Sequence, residues 1–286
     1  MEQFYEIEKN DSFNLKHIFE CGQCFRWNKE TDGSYTGIFK NNVLNVKEEN
    51  EKIIFQGICE NKIEHVVIDY FDLKTNYGKI KKELSKIDCY LEESIKFGKG
   101  IRILNQDLWE VLISFIISAN NNIPRIKGIV ERISSKYGKE IIYKGKKYYT
   151  FPTPEELSKA SVEDLRKLGL GFRDKRVYET TKMVLNKEIN LEELKTETNV
   201  NKLKEKLMLF PGVGNKVADC IMLFSLKKYE VFPIDVWVRR VMNELYIKNR
   251  DETKVNKLEI ERLAREKYGD LAGLAQQYLF YWKREA

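Results

Sequence analysis

The sequence predicts an α+β protein, in which an N-terminal antiparallel β-sheet with flanking helices is followed by an all-α region. Short apolar segments separated by polar turns occupy the first sixty residues, a pattern typical of strands. After residue 106, apolar residues recur at helical spacing and capping residues mark where helices begin. At 286 residues and 42% hydrophobic content, the chain can bury a sizeable core. We assign residues 1–104 to the sheet domain and residues 105–286 to the helical region.

The clearest strand pattern is a hairpin near residue 40. Residues 34–39 and 43–46 are rich in aromatic and branched apolar residues, and the Lys-Asn-Asn between them is a turn sequence. A third strand is predicted at residues 53–55, after another polar turn. Residues 62–97 have apolar residues at helical spacing, so we expect helices to back the sheet.

The helical region begins with residues 107–119, which are apolar on most faces and should form a buried helix. A second helix should follow the three asparagines at 120–122. Two segments, 153–156 and 161–164, have the spacing of capping boxes. Further helices are predicted at about residues 172–186, 201–208 and 215–226, after Asp235, and in two segments near the C-terminus.

The charge distribution favours a polyanionic partner for the helical region. Residues 1–100 have 15 Lys and Arg against 18 Asp and Glu, a net charge of −3, whereas residues 101–286 have a net charge of +9. The five cysteines are irregularly spaced, and no Cys or His set has the spacing of a zinc site, so we expect no metal. The acidic N-terminus lacks signal-peptide character, and no apolar run could span a bilayer. We expect a cytoplasmic protein without membrane contact.

The segment LFPGVGNKVADC, residues 209–220, lies between two predicted helices, so residues 201–226 are predicted to form a helix–hairpin–helix. Its glycines allow backbone geometries that other residues avoid, and the amides that begin the second helix can bind a phosphate. The spacing excludes a nucleotide P-loop, because Asn215 separates the glycine from the lysine. It also excludes a dinucleotide fingerprint, because Val217 stands where a third glycine is required. An ordinary tight turn between packed helices remains the alternative.

Lys216 is the candidate nucleophile of this segment. It lies in the first turn of the second helix, where the helix dipole disfavours a positive charge, and an uncharged amine is nucleophilic. Cys220 is four residues further along and lies on the same helical face. Asp235 begins the next helix after a proline turn, so it is both a predicted cap and a candidate carboxylate for the same site. The simpler alternatives are a surface lysine beside a phosphate and an aspartate that only caps.

With these motifs, the sequence resembles the 8-oxoguanine DNA glycosylase family of helix–hairpin–helix base-excision enzymes. The matching motifs occur in the family's order, extend from residue 21 to residue 280, and together are highly specific. They are Gly22-Gln-Cys-Phe-Arg-Trp27, residues 114–126, Leu168-Gly-Leu-Gly-Phe-Arg173, residues 210–220, residues 231–235 and Leu274-Ala-Gln-Gln-Tyr-Leu-Phe280. The resemblance implies that residues 105–286 form a glycosylase region with a catalytic cleft.

The resemblance implies an enzyme that flips 8-oxoguanine out of duplex DNA, preferentially opposite cytosine, removes the base and cleaves the strand as an abasic-site lyase. Lys216 would attack the anomeric carbon of the sugar and form a Schiff base, after which β-elimination would nick the strand. Asp235 would stabilise the developing positive charge. This chemistry requires no metal or other cofactor.

The resemblance also implies which residues hold the damaged base. The Gly22 carbonyl would accept a hydrogen bond from the hydrogen on N7, which 8-oxoguanine has and guanine lacks. Phe280 and Cys220 would sandwich the base, and Gln276 would bond its Watson–Crick edge. The alternatives are a plain turn glycine at Gly22 and an ordinary core aromatic at Phe280.

On the other side of the lesion, Asn120 would enter the base stack, and Asn120, Arg125 and Arg173 would read the orphaned cytosine, with Phe172 as a wedge. The alternative is a polar helix end with two arginines that bind phosphates, since the guanidinium suits both tasks.

Three residues of the hairpin segment are expected to contact the DNA backbone: Gly212, Gly214 and Val217. The sequence departs from the family at Trp237, where histidine is common, so a phosphate or acid–base role is in doubt at that position.

We expect a monomer that acts on double-stranded DNA containing oxidised guanine, at the nucleoid if the source is prokaryotic. Two other functions remain open: a related glycosylase with a different base preference, such as one for alkylated purines, and a non-catalytic helix–hairpin–helix DNA-binding protein. Lys216 argues against the first, because monofunctional relatives use the aspartate without a lysine nucleophile. The joint presence of Lys216 and Asp235 argues against the second.

Overall fold

A computed structural model describes residues 1–251 and 254–286 and confirms the α+β class. The N-terminal region contains a five-stranded antiparallel sheet in the order β1-β5-β4-β3-β2. Its strands are β1 Glu2–Glu8, β2 Trp27–Lys29, β3 Tyr35–Phe39, β4 Asn42–Glu49 and β5 Lys52–Ile58. The predicted hairpin is confirmed as β3–β4, in which Ile38 pairs with Val43, and the third predicted strand lies within β5.

Four helices accompany the sheet: α1 Leu15–Phe19, α2 Ile63–Tyr70, α3 Tyr77–Leu84 and α4 Cys89–Phe97. The first of them lies among the sixty residues that we predicted as strands, and there the prediction is wrong. Asn14 accepts a hydrogen bond from the His17 amide at 3.1 Å and so begins a helix. Behind the sheet, the rings of Phe19 and Trp27 stack with their centroids 4.1 Å apart in an aromatic core.

The C-terminal region consists mainly of helices α5 Leu108–Ser118, α6 Ile123–Tyr137, α7 Pro154–Leu157, α8 Val162–Lys167, α9 Asp174–Leu185, α10 Leu191–Thr196, α11 Val200–Met208, α12 Asn215–Leu226, α13 Val236–Met242, α14 Lys257–Tyr268 and α15 Ala272–Glu285. The predicted positions of α5, α6, α9, α11 and α12 are confirmed within two residues, and both capping boxes are present. A 3₁₀ turn, Gly171–Arg173, precedes α9, and a π-helical segment, Asn243–Ile247, follows α13. Within the described ranges, every helix is too short or too polar to cross a membrane.

A β-hairpin interrupts the region that we predicted to be almost wholly helical. It consists of β6 Glu140–Tyr143 and β7 Lys146–Tyr149. Lys144 and Gly145 between them have φ of 47° and 74°, the positive values that a two-residue hairpin turn requires. Tyr143 packs against Ile38 and Val43 of the first sheet, so the hairpin joins the two regions.

A buried aspartate also joins the two regions. Asp72 is 4% exposed and accepts hydrogen bonds from the hydroxyls of Tyr77 at 3.1 Å and Tyr229 at 3.2 Å. It also pairs with Lys227 Nζ at 2.8 Å. Helix α15 packs against α4 of the N-terminal region. As a result, the loop that contains Gly22 shares one cleft with α12 and α15.

Candidate active site

The hairpin between α11 and α12 forms one wall of the site. Gly212 has φ of +85°, and a Cβ there would lie 2.5 Å from Arg176 Cδ, so the turn favours glycine. Gly214 is the N-cap of α12, with open space where a Cβ would lie. The first helical hydrogen bond runs from the Ala218 amide to the Gly214 carbonyl at 2.9 Å. The amides of residues 215–217 therefore have no partner within the helix and can bind an anion.

Helix α12 brings Lys216 and Cys220 to one cavity. The Nζ of Lys216 lies 5.2 Å from the centre of the Phe115 ring on α5, within cation–π range. Burial raises the pKa of Cys220 to about 11, and the charge of Lys216 opposes the rise. The thiol is therefore neutral near pH 7 and offers a base a small, apolar wall.

Asp235 reaches the same cavity from the start of α13. Its Oδ1 accepts a hydrogen bond from the Val238 amide at 2.7 Å, which confirms the predicted cap. The charge of Asp235 also contributes to the raised pKa of Cys220, so the two side chains are close. The second carboxylate oxygen, Oδ2, makes no hydrogen bond with any residue in the described ranges. One oxygen therefore fixes the side chain and the other is free to face a reacting group.

Gly22 lies across the cavity from α12, in the loop after α1. Its φ is +89°, and a Cβ there would lie 3.2 Å from Arg284 Nη1 and 3.6 Å from the Phe280 ring. A larger residue would be strained and would crowd the cavity. Two local features therefore favour glycine at this position: the backbone conformation and the close approach of Phe280.

The neighbouring Gln23 was not among the predicted residues, although it stands inside the Gly-Gln-Cys-Phe motif. It is fully buried, and its Nε2 donates to the carbonyls of Ile18 at 2.9 Å and Arg102 at 2.7 Å. Its Oε1 accepts from the Leu104 amide at 2.8 Å. A buried amide with these three bonds holds the Gly22 loop in place.

The structure brings six of the predicted residues to one cavity of about 60 Å³: Gly22, Lys216, Cys220, Asp235, Gln276 and Phe280. This cavity adjoins a cleft of about 510 Å³, which Asn120 and Val217 also line. Trp237 is 39% exposed on the wall of that cleft. Its indole cannot exchange protons near neutral pH, so the position offers a flat apolar surface where the family often has an imidazole.

Gln276 has a neighbour on α15 that the sequence motifs did not single out. Gln277 also lines the small cavity and is 4% exposed. Its Nε2 donates to Gln276 Oε1 at 2.7 Å, which orients the Gln276 amide. Two adjacent glutamines in a helix form no distinctive sequence pattern, so only the structure reveals the hydrogen bond between their side chains.

The loop that contains Asn120 lies at the rim of the larger cleft. Asn120 is exposed and has φ of +52°, an uncommon conformation for a residue other than glycine. Arg173 holds this loop, because Nε and Nη2 donate to the Ala119 carbonyl at 2.8 and 2.6 Å and Nη2 also donates to the Asn120 carbonyl at 2.7 Å. Arg173 is only 2% exposed, so its guanidinium supports the loop from within. Its contact with an orphaned base requires exchange of these bonds and stays a prediction.

Two arginines lie against the exposed Phe172, and the charge of a third, Arg125, acts on one of them. The guanidinium carbons of Arg173 and Arg176 lie 4.2 and 5.1 Å from the centre of the Phe172 ring. Burial lowers the pKa of Arg173, and the positive charges of Arg125 and Arg176 lower it further. Arg125, Arg173 and Arg176 form no ion pair with any residue of the described ranges. Such a cluster attracts a polyanion.

Comparison with known proteins finds relatives over nearly the whole chain. Residues 5–112 match the model of the 8-oxoguanine DNA glycosylase N-terminal domain, and residues 113–268 match that of the HhH-GPD superfamily of base excision DNA repair proteins. An N-glycosylase/DNA lyase of Saccharomyces cerevisiae is 32% identical over 93% of this chain and 82% of its own length. The apo form of the Clostridium acetobutylicum 8-oxoguanine glycosylase/lyase is 46% identical, with a TM-score of 0.92 over 98% of this chain and 96% of that one. Its complex with double-stranded DNA containing cytosine opposite 8-oxoG has a TM-score of 0.91 and 46% identity over 98% of each chain.

Proposed function

The chain belongs to the 8-oxoguanine DNA glycosylase family of the HhH-GPD superfamily, and we propose that it excises 8-oxoguanine from duplex DNA, preferentially opposite cytosine, and cleaves the strand at the resulting abasic site. The observation that carries this proposal is the convergence of Lys216 and Asp235 on the cavity that the four predicted base-binding residues line. A protein that only binds DNA does not require an amine and a carboxylate together in an enclosed cavity beside its hairpin.

Lys216 is the nucleophile in the proposed reaction. Its amine bonds to C1′ of the flipped nucleotide while the C1′–N9 bond breaks, and the base leaves with the bonding electrons and takes up a proton. The sugar ring then opens and gives a Schiff base between C1′ and Nζ. Loss of a proton from C2′ expels the 3′ phosphate and nicks the strand, and water finally releases the lysine. Asp235 stabilises the positive charge on the sugar as the base departs, through the carboxylate oxygen that the cap leaves free.

The small cavity would hold the damaged base. The Gly22 carbonyl accepts from N7–H, the neutral Cys220 and Phe280 cover the two faces, and Gln276 bonds the Watson–Crick edge. Phe280 is only partly buried and lines both the small cavity and the larger cleft, so it stands where the base would enter.

The duplex would lie across the larger cleft. Asn120 fills the gap, with Phe172 as a wedge, and Arg125 and Arg173 read the opposite cytosine. The backbone of the damaged strand binds the hairpin through Gly212, Gly214 and Val217. We propose that the protein acts as a monomer, in the compartment that holds the DNA.

Borohydride trapping tests the function. Duplexes carrying 8-oxoguanine opposite each of the four bases are incubated with enzyme and reductant, which converts a Schiff base into a stable adduct. We expect an adduct with the wild type, most rapidly opposite cytosine, and none with Lys216→Gln. Base release without an adduct would refute the lysine nucleophile, whereas binding without base release would identify a DNA-binding module. Equal rates opposite all four bases would refute the cytosine preference alone.

A further inference from the structure

Gln277, which lies beside the base cavity, has a buried hydrogen-bond acceptor without a partner in the described residues. The residue lines this cavity together with Lys216 and Cys220, and its side chain is 4% exposed. Its Nε2 is occupied by Gln276. Its Oε1 is buried and has no hydrogen-bond partner in residues 1–251 and 254–286. Buried acceptors are rarely left unpaired, and one that borders a binding cavity can be paired by a group on the ligand.

The Watson–Crick edge of 8-oxoguanine has more polar groups than one glutamine can pair in plane. The edge contains one acceptor, O6, and two donors, N1–H and the exocyclic N2 amine. A glutamine amide presents one acceptor and one donor group. If Gln276 pairs with O6 and N1–H, the N2 amine still requires an acceptor on the same side of the cavity.

We propose that Gln277 Oε1 accepts a hydrogen bond from the N2 amine of the flipped base, which makes the pocket reject 8-oxopurines that lack this amine. The inference rests on the proposed function and adds a specificity-determining residue to it. The hydrogen bond between Gln277 and Gln276 makes the two amides one recognition unit that covers the whole edge. Without the amine, Gln277 Oε1 would remain buried and unpaired in the complex, and sites of this kind discriminate strongly.

The test compares 8-oxoguanine with 8-oxohypoxanthine, which has a hydrogen in place of the N2 amine and is otherwise the same base. Single-turnover base release is measured on two duplexes that differ only at this base, both opposite cytosine. We expect the wild type to prefer 8-oxoguanine by roughly 10-fold or more. In Gln277→Met, which keeps the length of the side chain and removes its polar atoms, the preference should fall to within about 2-fold.

The ratio of the two rates separates this contact from a structural role. If Gln277 only orients Gln276, its loss slows release of both bases equally, so an unchanged ratio in Gln277→Met overturns the inference. Gln277→Glu keeps an acceptor and loses the donor to Gln276, so it should slow both reactions while the preference for the amine persists. Gln56→Met is the matched control, because Gln56 lies outside the cavity and bonds Lys144 at 3.2 Å.

The outcomes also separate this inference from the proposed function. A wild type that releases neither base refutes the function. A wild type that releases both bases at the same rate leaves the function intact and overturns the role of Gln277.

Discussion

At the scale of single residues, Asp235 combines a structural and a proposed chemical task that can be separated. Oδ1 caps α13, whereas Oδ2 makes no hydrogen bond with any residue that the structure describes, and the side chain lines the cavity. An asparagine caps a helix about as well as an aspartate, because its side-chain oxygen accepts the same amide bond. It carries no charge, however, so it cannot stabilise a cationic sugar.

We therefore predict that Asp235→Asn keeps the fold and loses the chemistry. The free energy of unfolding should change by less than about 1 kcal/mol, whereas the rate of base release should fall by roughly 100-fold or more. Urea denaturation and single-turnover kinetics measure the two quantities. Asp107→Asn is the matched control, since Asp107 caps α5 through a 3.0 Å bond to the Glu110 amide. A variant of Asp235 that keeps its rate would show that the residue only caps.

At the scale of elements, the two glycines of the hairpin have different physical requirements. Gly212 is left-handed and a Cβ there would meet Arg176, whereas Gly214 has φ of −102° and open space where a Cβ would lie. An added methyl group is thus strained at the first position and accommodated by the protein at the second.

We predict that Gly212→Ala lowers the free energy of unfolding by about 2 kcal/mol, because a left-handed alanine is strained. Gly214→Ala should cost less than about 1 kcal/mol, yet it should weaken DNA binding, because its methyl group occupies the space proposed for a backbone phosphate. Thermal unfolding and fluorescence anisotropy with a duplex measure these effects. Equal loss of stability in both variants would contradict this assignment.

Asp219 connects the two helices of the motif, because its carboxylate pairs with Lys204 of α11 at 2.9 Å. Burial raises its pKa from 3.8 to about 6, Lys204 opposes the rise and Glu261 adds to it. The native state holds this proton more tightly than the unfolded chain does. The contribution of Asp219 to stability is therefore full below about pH 4 and is lost as the pH rises through about 6.

The side chain at position 219 has no charge at any pH in Asp219→Asn, so this variant does not lose stability through this ionisation. Relative to the wild type, its free energy of unfolding should rise by up to about 3 kcal/mol between pH 4 and pH 8. Urea denaturation of both proteins across that range provides the measurement. A relative loss of stability with rising pH would show that the charged pair with Lys204 dominates instead.

The elements differ in how fully the sequence specified them. Helix α12 was predicted at its observed bounds, because the Pro-Gly-Val-Gly turn marks its start and apolar residues continue to Leu226. The hairpin at 140–149 was missed, because its strands are four residues each and depend on packing of Tyr143 against a distant sheet. In the site, the helix–hairpin–helix segment indicated Lys216, and the proline turn before α13 indicated Asp235. The bonds of Gln23 and Gln277 depend on tertiary neighbours, which local patterns do not contain.

At the scale of the whole molecule, Asp72 of the sheet region bonds Tyr229 and Lys227 of the helical region, and Tyr77 of its own region donates to the same carboxylate. The junction matters for the site, because Gly22 comes from one region and Lys216 from the other. Three donors converge on this one buried carboxylate, so replacing an acceptor oxygen leaves donors unpaired.

We predict that Asp72→Asn, which tolerates the local φ of 51°, lowers the free energy of unfolding by about 1–3 kcal/mol. The rate of base release should fall as well, since Gly22 and Lys216 would no longer be held in their relative positions in the cavity. Asp11→Asn is the control: Asp11 pairs with Lys99 at 2.9 Å, but its side chain is 81% exposed, so its loss should leave the free energy of unfolding nearly unchanged. Urea denaturation measures the free energy of unfolding, and single-turnover assays measure the rate of base release. If neither changes in Asp72→Asn, the junction is not important for stability or for the site.

The bonds that Arg173 makes to the Asn120 loop exist before any duplex arrives. A loop that is already fixed has little conformational freedom left to lose when it meets DNA. A repair protein visits very many intact base pairs for each damaged one, and a loose loop would have to be ordered afresh at every visit. In this fold the ordering happens once, when the chain folds, so the search for damage can proceed without that repeated delay.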